Sequence, residues 1–543
     1  MSLTRRAFLH RGGILTAAIA LPQGVKLPQP PKPQRPAPKF RTTLDSSSLA
    51  HFVDPLPIPA VAQPVDHRPS PADPSLKLPY YRVAMRQIES KVHRDMKPTR
   101  LWAYSSSSPG PTFDIKSGQG ILVEWANELP ARHFLPIDHS IHGAETDKPD
   151  VRTVVHLHGA KAPADSDGYP ENWYVSGKSA VYHYPNQQDA AMLWYHDHAL
   201  GINRLNVFAG LLGAFIVRDE VEDALNLPGG KYEIPLIFYD RVFDLESQLN
   251  YPVSGDPKSP WLPEVFGDAL LVNGKLFPYL EVEPRQYRFR VLNGANGRFF
   301  HLSLSNHQPF HQIGTDQGLL PAPLEIKRVI LAPAERADLI LDFSASAGEQ
   351  IILKNDSFDV MQFRVAKNVS QGNPARDGSA LPAVLRPVPK IPESAAVNPR
   401  MLTLVEVDDL VQRPVTMLLN NAHWKMPVTE DPVLDSTEIW NFINTTDDSH
   451  PIHLHLVRFQ ILDRRSFDVS NYWATGKLKF FGPAIAPDPS EAGWKDTVRA
   501  DPAMVTRIII RFEGYTGRYV WHCHILEHED NEMMRPYDVI AKP

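Results

Sequence analysis

Four pairs of histidines, each separated by a single residue, are the part of this sequence best suited to chemistry. The chain has 543 residues and 22 histidines, a frequency at which about one such triplet is expected by chance. Imidazole nitrogens bind copper, zinc, iron and nickel, so the repeated pattern predicts a metal centre. The four triplets are His156-Leu157-His158, His196-Asp197-His198, His453-Leu454-His455 and His522-Cys523-His524.

The spacing of these pairs suits extended strands. In a strand, residues i and i+2 project from one face and residue i+1 projects from the other. His522 and His524 would therefore face one way and Cys523 the opposite way, so one short strand would contact two metal centres joined through the backbone. This arrangement suits electron transfer. Cys523 is the only cysteine, which excludes an intrachain disulfide and multi-cysteine zinc sites.

A second group of candidate ligands surrounds Cys523. His450, Cys523, His528 and Met533 supply two imidazoles, one thiolate and a weak axial thioether, which is the ligand set of a blue-copper site. His450 precedes the third histidine pair by an odd number of residues, so it is expected to face away from that pair. Met533 is preferred over Met534 because of its spacing from His528, although a methionine here could also pack the core.

The eight paired histidines form a group of their own, large enough to hold three copper ions. Half of them come from residues 156–198 and half from residues 453–524, which predicts a cluster at an interface between the two ends of the chain. The middle of the chain has no such pair and is expected to be a spacer domain. Other histidines are expected to be structural, among them His301, His307 and His311 in the middle domain and His133, His139 and His142 in loops.

Short alternating segments indicate the elements that must position these ligands. Residues 121–127, 287–293 and 438–444 each read as a strand that ends at an asparagine, and their even spacing predicts three β-sandwich domains in a row. Proline accounts for 52 residues, about twice the usual share of roughly 5%. Because proline terminates helices and suits turns and strand edges, this composition also favours a β-rich fold.

The remaining composition suggests how the chain is organised. Arg5-Arg6, an apolar run and Ala18-Ile19-Ala20 predict a twin-arginine-type signal peptide, the alternative being an ordinary basic tail. The net charge of −6 offers no basic face for nucleic acid, and no later segment reaches the roughly 18 apolar residues of a membrane span. The predicted divisions are a signal at 1–21, a Pro-rich arm at 22–75, domains at 76–225, 231–371 and 400–543, and a Pro-rich linker at 372–399.

The ligand segments resemble the four copper motifs of the multicopper oxidases, in the same order. The likeness extends over roughly residues 76 to 543 and is closest to the bacterial spore-coat laccase and bilirubin oxidase branch. It implies an all-β fold of three consecutive cupredoxin-like Greek-key β-sandwich domains and four copper ions. The segments that carry it are 156–159, 194–198, 450–455 and 522–528, together with 165–170, 201–206 and 493–497 for the branch.

The resemblance also implies a role for each ligand. Asp167 and Glu529 would lie near the trinuclear cluster and assist proton delivery to dioxygen, the alternative being a solvated loop aspartate and a glutamate that merely adjoins a ligand. The implied copper ligands are His450, Cys523, His528 and Met533 for type 1, His156 and His453 for type 2, and His158, His196, His198, His455, His522 and His524 for the type 3 pair.

The implied activity is that of a laccase-like enzyme, which couples four one-electron oxidations of a phenol or aromatic amine to reduction of dioxygen to two waters. Substrate would give its electron through the exposed imidazole edge of a type 1 histidine. Bilirubin oxidase and cuprous-ion oxidase remain alternatives, although the 11 methionines form no methionine-rich segment. A copper electron carrier or copper-storing coat protein would leave eight paired histidines without a purpose. A monomer in the periplasm or outside the cell is expected.

Overall fold

The computed structural model describes residues 42–368, 381–409 and 414–542. The predicted signal at 1–21, the first part of the arm and the first part of the linker lie outside these residues. The chain from Thr43 onward forms one compact unit, with 44% strand and 8% helix, so the predicted all-β class is confirmed. In the ranges described, no helix has both the length and the hydropathy needed to cross a bilayer.

The first β-sandwich consists of a five-stranded and a four-stranded sheet. Its elements are β1 (Asp66–Pro69), β2 (Lys77–Ser90), β3 (Thr99–Tyr104), β4 (Gly110–Lys116), β5 (Ile121–Asn127), β6 (Arg152–Thr153), β7 (Val155–His158), β8 (Tyr174–Val175), β9 (Ser179–Tyr184), β10 (Ala191–Asp197), α1 (Asn203–Ala209) and β11 (Leu212–Arg218). The larger sheet has the order β1-β2-β5-β9, with β3 also paired to β2. The smaller sheet has the order β4-β11-β10-β7, and β6 pairs with β8 separately.

The second β-sandwich follows a short helix and consists of a seven-stranded and a five-stranded sheet. Its elements are α2 (Glu220–Ala224), β12 (Glu233–Arg241), β13 (Ala269–Val272), β14 (Lys275–Leu276), β15 (Tyr279–Val282), β16 (Gln286–Asn293), β17 (Phe300–Leu304), β18 (Phe310–Thr315), β19 (Gly318–Ile326), β20 (Val329–Leu331), β21 (Arg336–Asp342), β22 (Gln350–Asn355) and β23 (Phe358–Val365). The strand orders are β14-β13-β12-β16-β21-β18-β19 and β15-β23-β22-β17-β20.

The third β-sandwich again consists of a five-stranded and a four-stranded sheet. Its elements are β24 (Asn398–Asp408), β25 (Pro414–Leu419), β26 (Thr437–Asn444), β27 (His450–Leu454), β28 (Phe459–Ser466), α3 (Val469–Thr475), β29 (Thr497–Ala500), β30 (Met504–Arg511), β31 (Gly517–Cys523), α4 (Leu526–Asp530) and β32 (Met534–Val539). The strand orders are β25-β24-β26-β30-β28 and β29-β27-β31-β32. Short 3₁₀ helices occur at Ser46–Ser48, Ala164–Ser166, Gly230–Tyr232, Glu393–Ala395 and Pro489–Glu491.

One asparagine turn closes the equivalent strand in each sandwich. Strands β5, β16 and β26 each pair in parallel with the first long strand of their sandwich and antiparallel with a later one. They end at Asn127, Asn293 and Asn444, whose side chains are fully buried. Each side-chain oxygen accepts the backbone N–H two residues further on, at 3.1, 3.0 and 2.9 Å, so the side chain replaces a backbone turn. The three repeated segments seen in the sequence therefore share the same asparagine hydrogen bond as well as the same strand position.

The described part of the Pro-rich arm crosses from the second sandwich to the first. Phe52 N donates to Phe277 O at 2.9 Å, and Ala62 N donates to Thr112 O at 2.8 Å. The arm then enters the first sandwich as its edge strand β1. Residues from the arm and from both sandwiches belong to a single apolar cluster, whereas the core of the third sandwich lies mainly in a second cluster. The first two sandwiches thus share buried apolar contacts in addition to being consecutive in the sequence.

Candidate metal centres

The paired histidines lie on neighbouring strands of two four-stranded sheets. In the first sandwich, β7 and β10 pair so that His156 lies opposite His196. In the third sandwich, β27 and β31 pair so that His453 lies opposite His522. The second histidine of each pair ends its strand or follows it directly. Alternation along the strands therefore points the histidine rings of each pair toward one side, as the spacing predicted.

Cys523 lies with His450 and His528 on the other side of β31. Its Sγ is 3.6 Å from His450 Nδ1 and 3.7 Å from His528 Nδ1, and the two ring nitrogens are 3.2 Å apart. Their donor atoms could all bind one ion, and all three side chains are fully buried. His450 Nε2 hydrogen-bonds Thr446 Oγ1 at 2.7 Å, which fixes the ring with Nδ1 toward the sulfur.

The two adjacent methionines pack in different clusters. Met533 belongs to the apolar cluster that contains Cys523 and Ile525. Its backbone carbonyl accepts from Cys523 N at 3.0 Å, and its own N–H donates to the carbonyl of His528 at 3.0 Å. Met534 begins β32, pairs with His522 and packs in another cluster. Met533 is therefore the methionine on the side of the cysteine.

The eight paired histidines come together at the contact between the first and third sandwiches, as the sequence predicted. Two pairs of rings stack across that contact, His156 on His455 and His158 on His453, each with centroids 3.6 Å apart. Among the residues described, three groups made only of these histidines each fit a single ion, namely His156, His158 and His453; His158, His196 and His524; and His198, His455 and His522. A further group adds Asp167 to His156 and His455.

The ring nitrogens of this cluster show what it is built to hold. Five of the rings donate through Nδ1 to a protein oxygen, whereas His158 is turned around and uses Nε2. Buried nitrogens on the cluster side have no hydrogen-bond partner, and an unmet buried polar atom costs roughly 1–3 kcal/mol. These atoms are His156 Nε2, His158 Nδ1, His196 Nε2, His453 Nε2 and one of the two nitrogens of His524. His198 faces the cluster through Nε2 instead, since its Nδ1 lies 3.5 Å from Glu529 Oε1. Bound metal would satisfy the unpartnered nitrogens, so the donor set fits copper.

Burial keeps these imidazoles neutral, which is the form that binds metal. Desolvation lowers the pKa of His450 and His453 to about 3 and that of His198 to about 4. Burial, and then neighbouring histidines, likewise lower the pKa of most of the other rings well below the ordinary value. Burial also raises the pKa of the Cys523 thiol, so the thiolate needs a cation beside it.

Asp167 and Glu529 both contact ligand rings. Asp167 accepts from His156 Nδ1 through its backbone oxygen at 2.6 Å and from His455 Nδ1 through Oδ2 at 2.7 Å. Glu529 Oε2 lies 3.2 Å from His522 Nδ1. Asp167 is only 2% exposed, so the alternative of a solvated loop aspartate is wrong. Asp167 follows the 3₁₀ helix Ala164–Ser166 directly, and its side chain lies against the cluster instead of in solvent.

The expectation that the middle domain is a spacer is wrong. Asp496 Oδ1 lies 3.1 Å from His158 Nε2, and the Asp496 backbone oxygen accepts from His453 Nδ1 at 2.8 Å. The carboxylate of Asp496 is held by two side chains of the second sandwich, Arg336 and Gln317. In the sequence, Asp496 stands out only as part of the segment 493–497 that resembles the family, and no local sequence pattern distinguishes Arg336.

The expected exposed imidazole edge at the blue-copper group is also not found. His450 and His528 are both 0% exposed. The segment 261–266, part of the long connection between β12 and β13, covers this group, and Trp261 Nε1 donates to the carbonyl of Glu527 at 3.0 Å. Trp261 shares an apolar cluster with Cys523 and Met533. The second sandwich therefore contacts both predicted copper sites.

Several of the histidines expected to be structural have ordinary hydrogen-bond partners. His133 Nε2 hydrogen-bonds Asn206 at 3.2 Å, and His139 Nδ1 donates to the carbonyl of Ala144 at 2.8 Å. Within the described ranges, none of the groups able to hold a metal ion includes His133, His139, His142, His301, His307 or His311.

Three β-sandwiches that enclose one cysteine–histidine group and one cluster of eight histidines define a copper-dependent oxidoreductase. Residues 146–222 and 396–542 match the multicopper oxidase family. A laccase of Bacillus subtilis (strain 168) is 48% identical over 519 residues, covering 91% of this chain and 99% of the relative. A laccase of Haloferax volcanii is 36% identical over 581 residues, covering 99% and 91%. The solved laccase of Pediococcus acidilactici has a TM-score of 0.72 at 27% identity, covering 92% and 98%.

The chain therefore belongs to the multicopper oxidase family. The predicted family, its laccase branch and the cupredoxin-like fold are confirmed by these relatives. The protein is an oxidoreductase with copper as its cofactor, and it uses a small reducing substrate and dioxygen.

Proposed function

We propose that this protein is a laccase that oxidises phenols and aromatic amines and reduces dioxygen to water. The observation that carries this proposal is the set of histidine and cysteine donors in four buried groups, with every candidate ligand histidine and Cys523 0% exposed. When bound, copper supplies the one-electron chemistry, while the protein sets geometry and access. An electron carrier needs only the cysteine group, so the eight further histidines favour an oxidase.

The ligand roles follow from the groups that the fold brings together. Holding all donors in buried, prearranged positions lets the site be assembled without moving strands. The residues that would hold copper are His450, Cys523, His528 and Met533 for type 1, His156 and His453 for type 2, and His158, His196, His524, His198, His455 and His522 for the type 3 pair.

Two carboxylates lie beside ligand rings of the cluster. Asp167 fixes the rings of His156 and His455 through separate oxygens. Glu529 is buried beside His522, and its Oε1 accepts from Asn203 Nδ2 at 2.8 Å. We propose that Asp167 mainly orients ligands and that Glu529 supplies protons for dioxygen reduction.

The first experiment is an absorption spectrum of copper-loaded protein with copper quantified on the same sample. An intense blue thiolate-to-copper band, a near-ultraviolet shoulder and about four coppers per chain are expected, together with dioxygen uptake in the presence of a phenol. A blue band with a single copper that persists after reconstitution would identify an electron carrier instead. A fully loaded protein with no blue band would contradict the role of Cys523.

We also propose that the protein is exported and acts as a monomer. Export is supported by Arg5-Arg6 and the apolar run that follows, a pattern read by the twin-arginine pathway. Cell fractionation of the natural host tests export. The wild-type protein should appear in the exported fraction, whereas a variant with Arg5 and Arg6 replaced by lysine should remain in the cytoplasmic fraction. Light scattering should give a mass near the 61.0 kDa chain, less the signal if it is removed.

A further inference from the structure

We infer that Arg336 of the second sandwich is a positioning residue for the trinuclear ligands, and that it acts through Asp496 on the ring of His158. This inference rests on the proposed copper site. Arg336 touches no candidate ligand itself. Its effect is to hold the carboxylate of Asp496 where it accepts from His158 Nε2 and so leaves His158 Nδ1 free to bind metal.

The guanidinium of Arg336 is shared among all three sandwiches. The side chain is 1% exposed, and its Nε donates to the carbonyl of Met192 in β10 at 3.0 Å. Its Nη2 donates to the carbonyl of Asp316 at 3.0 Å, and its Nη1 donates to the carbonyl of Ala334 at 3.0 Å. Both Nη atoms also donate to the carboxylate of Asp496, Nη1 to Oδ1 at 2.7 Å and Nη2 to Oδ2. All five N–H groups of the side chain therefore have acceptors.

Asp496 in turn decides which nitrogen of His158 carries the proton. A carboxylate can only accept, so His158 donates from Nε2 to Asp496 Oδ1 at 3.1 Å. Thr497 Oγ1 reinforces this arrangement, because it donates to Asp496 Oδ1 at 2.9 Å and lies 3.2 Å from His158 Nε2. The lone pair then falls on Nδ1, which is buried without a partner. The partner of a ligand's second nitrogen commonly fixes both tautomer and ring orientation.

The backbone beside His158 is packed directly against the same pair. Gly159 adopts φ +87°, and a Cβ there would lie 2.7 Å from Asp496 Oδ2 and 2.9 Å from Arg336 Nη2. No side chain larger than hydrogen fits without displacing the pair. The position of the ligand strand β7 is thus set against Arg336 and Asp496 by close contact, independently of the hydrogen bond to the ring.

If the Arg336–Asp496 ion pair only stabilised the fold, changing it would lower stability without altering the trinuclear site. Arg288 is a matched control for this distinction. Arg288 lies in the same sandwich, is also buried, and bonds to Asp338 and Glu222 instead of to any residue near the ligands. Arg336→Lys and Arg288→Lys both retain a charge and lose the planar fork of donors. Both should destabilise the protein, but only Arg336→Lys should disturb the trinuclear site.

The test measures copper and spectra on purified, copper-loaded protein. For Arg336→Lys we expect weaker copper retention by about 10–100-fold, a reduced near-ultraviolet shoulder and altered type 2 hyperfine splitting in electron paramagnetic resonance. The blue band should be unchanged, because Arg336 makes no bond to the cysteine group. Arg288→Lys should keep all of these signals.

A second variant guards against a folding failure of Arg336→Lys. Asp496→Asn is nearly isosteric, but it loses the charge that holds the guanidinium and can present a donor to His158. It should give the same spectral loss. Wild-type shoulder and hyperfine values in either folded variant would overturn the inference. A wild-type protein that binds no copper would overturn the proposed function, and this inference with it.

Discussion

Trp261 should control access to the blue-copper group, because it lies on the segment that buries His528. The side chain is 7% exposed, its Nε1 donates to the carbonyl of Glu527 at 3.0 Å, and its backbone N donates to Asp138 Oδ2 at 2.8 Å. Replacing a buried tryptophan by alanine costs about 3–5 kcal/mol. Of this, about 1 kcal/mol is the lost hydrogen bond to the carbonyl. Because proteins can open locally, this loss of stability should first increase the local opening of residues 261–266.

Hydrogen–deuterium exchange across 261–266 measures that opening. Since about 1.4 kcal/mol corresponds to a factor of ten in an opening equilibrium, exchange in Trp261→Ala should rise roughly a hundredfold to a few thousandfold. The blue band should remain, because no ligand is changed. Reduction of the type 1 site by a phenol under anaerobic stopped-flow conditions should become faster, because the His528 ring would then be exposed.

Trp473 provides the control. It is 53% exposed on α3, so Trp473→Ala should change stability by less than about 0.5 kcal/mol and leave both exchange across 261–266 and reduction unchanged. If Trp261→Ala behaves like Trp473→Ala in exchange, the segment is not held by this side chain. If exchange rises but reduction does not, substrate does not depend on uncovering His528.

Three further predictions address the ligands and the charges. Cys523→Ser should abolish the blue band and phenol oxidation while preserving the circular dichroism spectrum, and a blue, active variant would contradict the type 1 assignment. Glu529→Gln should slow dioxygen reduction more than type 1 reduction in stopped-flow traces; a variant with both steps unchanged would exclude the proton role. Burial alone would raise the pKa of Glu491, but Arg499 and Arg464 outweigh it and lower that pKa from 4.5 to about 2. This depression is worth about 3 kcal/mol above pH 4.5 and is lost as pH falls toward 2. Thermal midpoints of wild type and Glu491→Gln should therefore differ at pH 7 and converge in acid, and a constant difference would refute the coupling.

Features set by local geometry could be predicted from the sequence. Side chains alternate along any strand, so the division between the His522/His524 face and Cys523 needs no knowledge of the rest of the fold. The same alternation placed His450 with the cysteine. The three segments that end at an asparagine are equivalent strands in the structure. They could be predicted because the apolar pattern and the turn residue that define each strand lie within a few sequence positions.

Features that depend on packing between distant segments could not be predicted. Arg336 is 160 residues from Asp496 in the sequence, and a buried arginine on a strand carries no signal that it serves a ligand. The burial of His528 depends on a connection in another sandwich, so an exposed imidazole was the wrong expectation. Asp167 looked like a loop residue, since its neighbours are polar, and only the packing of that loop under the cluster buried it.

The attachment of the arm to the second sandwich sets an order of events during synthesis. Phe52 leaves the ribosome long before Phe277, the residue whose carbonyl its N–H bonds. Domains generally fold as they emerge, the N-terminal one first, so the first sandwich can form while this part of the arm still has nothing to bind. Its docking closes a long loop late, after the second sandwich has formed. This part of the arm can therefore dock only after the second sandwich has folded.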